Sequence, residues 1–210
     1  MQLKLVVLAL AALPLAGCAT SGASDAPSQV APPESGERGF FARMFDENIP
    51  NAGPCPLMGV LYDSSRLVEF AQPGTERYAN VAFTGELQGV RGLCRYAGSD
   101  PIEMALEIDM AFGRGPAATA DQRTYRYWVA VTRRGLAPIE KQYFDVPVRF
   151  ERGADVMVST QQIERIVIPR ANSDISGENF EILIGFELTP EQLQFNRDGK
   201  RFRVNAPDNN

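Results

Sequence analysis

From about residue 54 onward, apolar and polar residues alternate with a period of two. Across residues 103–110 the even positions Met104, Leu106, Ile108 and Met110 are apolar, and the odd ones are acidic or small. Phe144, Val146, Val148 and Phe150 alternate with Tyr143, Asp145, Pro147 and Arg149. Phe180, Ile182, Ile184, Phe186 and Leu188 alternate with Glu181, Leu183, Gly185 and Glu187. Such alternation describes strands with one face on a core and the other toward water. It predicts strands near 57–62, 66–71, 79–88, 92–97, 102–113, 123–133, 139–150, 157–169 and 180–188, with a short last one at 201–204. Stretches of Gly, Pro, Asp and Asn separate them, and no long helical period intervenes. The expected class is therefore all-β, an antiparallel two-sheet sandwich of immunoglobulin- or fibronectin-like architecture over residues 53–206. Pro147 cannot donate to a ladder, which places its strand at an edge or a bulge.

One helix is signalled near 190–197. Thr189 can cap it, Pro190 suits the first helical position, and Gln192 completes a Thr-x-x-Gln capping box. Such a helix would close one end of the sandwich.

Ahead of the strands the pattern breaks down. Residues 19–39 are small, polar or Pro, with Val30 the one large apolar side chain. That composition cannot bury enough surface to offset the entropy of ordering, so 18–39 reads as a tether. Its reach is at most about 70 Å extended and about 25 Å as a typical coil. Within the following 40–52 segment, Phe41 and Phe45 are spaced i,i+4, as are Phe40 and Met44. On a short helix they share a broad apolar face. Three destinations stay open for it: packing back on the following domain, docking on a partner or membrane surface, or adding a strand to a sheet edge.

The first residues differ again. Lys4 gives a positive start, residues 5–15 are apolar, and Leu15-Ala16-Gly17-Cys18 follows. The apolar stretch is too short to span a bilayer comfortably. Leu-Ala-Gly-Cys at the end of such a segment resembles the lipobox of bacterial lipoproteins. The resemblance implies removal of 1–17, lipid on Cys18, and a membrane anchor there. Ala19 stands where an Asp would imply retention in the inner membrane, so the resemblance implies the periplasmic face of the outer membrane.

Charge and cysteine content narrow the chemistry. With 21 basic and 26 acidic residues, the chain is mildly acidic. Nucleic acid, which needs clustered positive charge, is therefore not an expected partner. The chain has no histidine, which removes Ser-His-Asp and Cys-His catalysis and most transition-metal sites. Neither a cofactor nor a metal is expected. In an oxidising compartment Cys55 and Cys94 would form a disulfide, stapling an outer strand.

Candidate binding residues fall on two neighbouring strands. Tyr125, Tyr127, Val129 and Val131 make the more apolar face of residues 124–134, which leaves Arg126, Trp128 and Thr132 opposite. A loop over 134–139 would set Val129 across from Phe144, Trp128 from Asp145, and Ala130 from Tyr143, with Lys141 nearby. A face bearing Arg126, Trp128, Lys141, Tyr143 and Asp145 has the composition of a protein-binding hot spot, or of a glycan-stacking surface if Trp128 is exposed. The alternative is that Trp128 belongs to the core. Glu103, Glu107 and Asp109 share a strand face at spacings found in glycosidases, but nothing near them in sequence forms a substrate cleft, and a solvated acidic strand face is the expected reading. Residues 172–177 resemble a calcium loop but lack its first and twelfth ligands. No catalytic residue is assigned. The expected function is a lipid-anchored, non-catalytic binding or assembly module of the cell envelope with a protein partner. A glycan- or small-ligand-binding lipoprotein is the alternative, and a carboxylate-dependent hydrolase a third reading.

Overall fold

The alternating stretches become eight strands among the described residues. These are β1 (Leu57–Val60), β2 (Arg66–Phe70), β3 (Val81–Arg95), β4 (Ile102–Arg114), β5 (Gln122–Arg133), β6 (Pro138–Arg149), β7 (Val156–Ile168) and β8 (Phe180–Phe186), followed by the helix α1 (Pro190–Arg197). They come from a computed structural model that describes residues 53–136 and 138–202. The expected signal segment, Cys18, the tether and the 40–52 segment with Phe40, Phe41, Met44 and Phe45 lie outside the described residues.

The strands form two four-stranded sheets, ordered β1-β8-β5-β6 and β2-β3-β4-β7. Their inner faces meet in one core. Leu106, Ile108, Met110 and Phe112 of β4 pack with Tyr125, Tyr127 and Val129 of β5 and with Ile182, Ile184 and Phe186 of β8. The Phe112 and Tyr125 rings, from opposite sheets, sit 4.4 Å apart between centroids. The protein is thus a β-sandwich. Its strand order departs from the immunoglobulin arrangement, in which the first two strands are neighbours; here β1 and β2 lie in opposite sheets. One pairing also departs from a purely antiparallel plan, since β1 runs parallel to β8, with Leu57 beside Glu181 and Val60 beside Ile184.

Two local expectations are corrected. The strands expected at 79–88 and 92–97 are one strand, β3. Its pairing with β4 shifts between Leu87 and Gly89, so an extra residue, Gln88, moves the inward positions from odd (Phe83, Leu87) to even (Val90, Cys94). A bulge of this kind interrupts the period without ending the strand. Arg201 and Phe202 are not in a strand, while 203–204 lie outside the described residues. Phe202 instead packs with Val68, Phe70, Val81 and Phe195 in a small second cluster.

The helix α1 forms where the sequence predicts it. Its capping box forms as the sequence predicts, with Thr189 and Gln192 bonding reciprocally. The helix covers the edge of β2. Gln192 Nε2 donates to the Val68 carbonyl at 3.2 Å, and Asn196 Nδ2 donates to the Asp63 and Arg66 carbonyls, both at 2.8 Å. Arg66 and Val68 turn these oxygens away from β3, so α1 satisfies a sheet edge that would otherwise invite pairing.

The disulfide joins Cys55, just before β1, to Cys94 in β3, with Cα atoms 5.5 Å apart. It staples the approach to an outer strand and, beyond what the sequence suggests, also links the two sheets.

Candidate functional site

β5 and β6 form a hairpin that carries all five candidate binding residues on the outer face of the first sheet. The turn is tighter than the sequence suggested. Gly135 takes a positive φ of 72°, which lets the chain reverse with Leu136 N–H donating to the Arg133 carbonyl at 2.8 Å. The register is consequently two residues from the expected one: Trp128 faces Tyr143, Arg126 faces Asp145, Ala130 faces Lys141 and Val129 faces Gln142. A two-residue slip preserves the pleat, so every candidate stays on its expected face.

Trp128 is 8% exposed, yet it does not belong to the core between the sheets. It lies flat on the outside of its own sheet. Its ring rests where β8 has Gly185; a Cβ there would come within 2.5 Å of Trp128 Cζ2 and 2.6 Å of Ser64 Cβ. The indole N–H donates to the Phe186 carbonyl at 3.1 Å. Above the ring, the Lys141 ammonium sits 4.2 Å from its centroid and 5.1 Å from that of Tyr143. Cations over aromatic faces are held by the ring quadrupole, at about 0.5–1 kcal/mol near a surface. Trp128 thus faces outward, as the alternation of its strand predicts, but it is covered rather than exposed.

Around this seat the surface is amphipathic. Arg126 lies over the Tyr143 ring, 5.4 Å from its centroid, with Asp145 at 3.4 Å and Glu187 at 3.5 Å. Tyr143 is 45% exposed, Ile139 56% and Leu57 61%, and Leu61, Tyr62 and Leu136 are exposed as well. Leu57 and Leu61 flank the β1 side and Leu136 and Ile139 the hairpin side. These four were not identified as site residues. β1 joins this face only through a parallel pairing between the two ends of the domain, which no local pattern announces.

The other candidates resolve into structure. Glu103, Glu107 and Asp109 line the outer face of the second sheet within a ladder of ion pairs. Arg91 bonds both Glu107, at 2.6 Å, and Asp109, and Arg165 bonds Glu103 at 2.6 Å. The Thr160 hydroxyl donates to Asp109 at 2.7 Å. That hydroxyl first, and Arg91 second, hold the Asp109 carboxyl below its usual value. A general acid needs the opposite shift. In the 172–177 loop, Asn172 Oδ1 accepts the Asp174 N–H at 3.1 Å, and Ser176 caps a 3-10 turn. Among the described residues no group of acidic or cysteine side chains is placed to hold a metal.

A second feature has no counterpart in the sequence reading. At one margin the sandwich opens between β6 and β7 into a groove of about 250 Å³. Val129, Val131, Phe144, Ile163 and Ile166 form its apolar walls, and Glu140, Gln142 and Arg165 its rim. Compared with known proteins, the chain matches no family, no curated relative and no solved structure.

Proposed function

We propose that this protein is a lipid-anchored component of the bacterial cell envelope, held by Cys18 at the periplasmic face of the outer membrane. Its sandwich would serve as a non-catalytic binding or assembly module. The observation that carries this reading is the outer face of the first sheet. There a covered Trp128 and a half-exposed Tyr143 sit among Arg126, Lys141 and Asp145, with exposed Leu57, Leu61, Leu136 and Ile139 around them. Interfaces concentrate energy in aromatic and Arg residues of this kind, ringed by apolar and polar neighbours. The covered tryptophan favours a protein over a glycan, since stacking a sugar on it would first require Lys141 to leave.

The test is photo-crosslinking in intact cells, from a benzoylphenylalanine at Tyr143 and, separately, from one at Thr75 on a distant turn. A single reproducible protein adduct from position 143, absent from position 75, supports the assembly role. Equal adducts from both positions, or none from 143, would refute it. Cys18→Ser should move the protein from the membrane to the soluble fraction. Retention on membranes would refute the anchor.

A further inference from the structure

Lys141 is the residue that closes the seat of Trp128. On β8 the neighbour of Trp128 is Gly185, and on β6 it is Tyr143, with Lys141 opposite Ala130. The Ala130 side chain is a single methyl group, so the lysine stem can pass over it and bring the ammonium above the indole. The other cations of this face have acidic partners. Arg126 has Asp145 and Glu187, Arg134 has Glu181 at 3.8 Å, and Arg149 has Asp121 at 3.6 Å. Lys141 is exposed, and among the described residues its contacts are the rings of Trp128 and Tyr143 rather than a carboxylate. Glu140, its neighbour in the chain, turns to the other face of β6, where Gln142 Nε2 donates to it at 2.6 Å. Lys141 therefore does two things at once. It covers the single tryptophan of the chain, whose bare face would add to an exposed apolar patch, and it offers an approaching surface a positive charge with no counterion.

We infer that Lys141 is a latch released by a carboxylate. The partner protein carries an Asp or Glu beside an apolar side chain; the acid draws the ammonium off the indole, and the apolar group takes its place on Trp128. This rests on the proposal that the face binds a protein. A ligand shifts a conformational equilibrium only by as much as it prefers one state. Here the preference has two sources. An ammonium held by ring quadrupoles at a surface is weakly held beside one paired with a carboxylate shielded from water, and the apolar group gains contact only where the indole is bare. A basic partner is repelled, and a purely apolar one must displace the lysine without compensation, so Lys141 selects among partners by charge. The surroundings of the latch stay fixed while it opens. Arg126 lies over the Tyr143 ring and is tied to Asp145 and Glu187, while the indole N–H is anchored on the Phe186 carbonyl.

The experiment measures the adduct formed in intact cells from benzoylphenylalanine at Tyr143, which keeps an aromatic ring there, in the parent, in Lys141→Glu and in Lys141→Arg. Each variant is matched to the parent in its urea midpoint. Lys141→Glu should lower the yield at least tenfold, and Lys141→Arg, which keeps the charge, should stay within threefold of the parent. Equal yields from the parent and Lys141→Glu would overturn the latch and leave the binding face standing. No adduct from the parent would remove both. Mass analysis then identifies the linked segment of the partner. An Asp or Glu in it, changed to Lys, should restore the adduct with Lys141→Glu and weaken it with the parent; a segment without an acid, or no restoration, would overturn the proposal. Phosphatidylglycerol vesicles test a lipid surface instead. Flotation of Cys18→Ser protein with them that is lost in Lys141→Glu, without a protein adduct in cells, would overturn the proposal in favour of an anionic membrane.

Discussion

Asn196 is a polar side chain 2% exposed whose removal should weaken the whole domain by a calculable amount. Its amide donates to the Asp63 and Arg66 carbonyls. One side chain thereby fixes the 3-10 turn that carries the chain from one sheet to the other, and part of the β2 edge. In Asn196→Ala two hydrogen bonds are lost, each contributing about 1–1.5 kcal/mol in a partly buried setting. Against this, Ala is the better helix former by about 0.6 kcal/mol. The expected net loss is about 2 kcal/mol. For a domain of this size that corresponds to a fall in Tm of roughly 4–8 °C. The assay is equilibrium urea unfolding, in which the midpoint should fall while the slope stays constant, as it does when stability changes without a change in compactness. Gln194→Ala is the control. Its side chain bonds only exposed Asp198, and its loss should stay within about 0.5 kcal/mol. If Asn196→Ala costs no more than that control, the helix does not hold the edge as described.

Four further outcomes follow from the same geometry. Trp128 should emit at short wavelength and resist acrylamide quenching, and Lys141→Ala should raise the quenching constant; an unchanged constant would mean Lys141 does not cover the ring. Non-reducing mass analysis should find Cys55 joined to Cys94, and reduction should destabilise by about 4 kcal/mol in the chain-entropy treatment of a loop of this length; an unchanged unfolding midpoint would contradict it. The buried Tyr125 hydroxyl has no protein partner among the described residues, so Tyr125→Phe should leave the urea midpoint unchanged or raise it, and a loss above about 1 kcal/mol would reveal a bond not seen here. Burial raises the Tyr127 phenol to about 12 and pushes Tyr125 up as well. Both favour the fold below the ordinary tyrosine value near 10, and that contribution is lost as pH rises through their raised values. Absorbance titration should therefore show these two ionising only as the protein unfolds at high pH.

What was legible in the sequence is the part written locally. Period two located the strands, and the Thr189-Pro190-Gln192 signal placed the helix, because each rests on neighbours a few residues apart. The hairpin register lies two positions from the one the alternation suggests, since Gly135 and the bulge at Val131/Thr132 set it and neither alters the alternation. Gln88 split β3 for the same reason. Non-local features left no mark at all. The parallel β1–β8 pairing joins the two ends of the domain, and the groove exists only because β6 and β7 close different sheets. Trp128 shows the limit most clearly: its face could be read from its neighbours in sequence, but its cover comes from Lys141 on one side and the bare Gly185 on the other.

That β1–β8 pairing has a kinetic consequence. A chain delivered from its N-terminus makes β1 first, yet the strand that completes β1 is the last to appear. Until then β1 has no ladder to join, and the first sheet cannot close. Contacts this remote in sequence are slow to find, and unpaired strands in the interval are open to the wrong partners. The Cys55–Cys94 bridge can form as soon as β3 has emerged, well before β8. It would then moor β1 beside the second sheet and shorten the search that β8 must make. On this view the disulfide guides assembly, and reduced protein should refold more slowly than its loss of stability alone would predict.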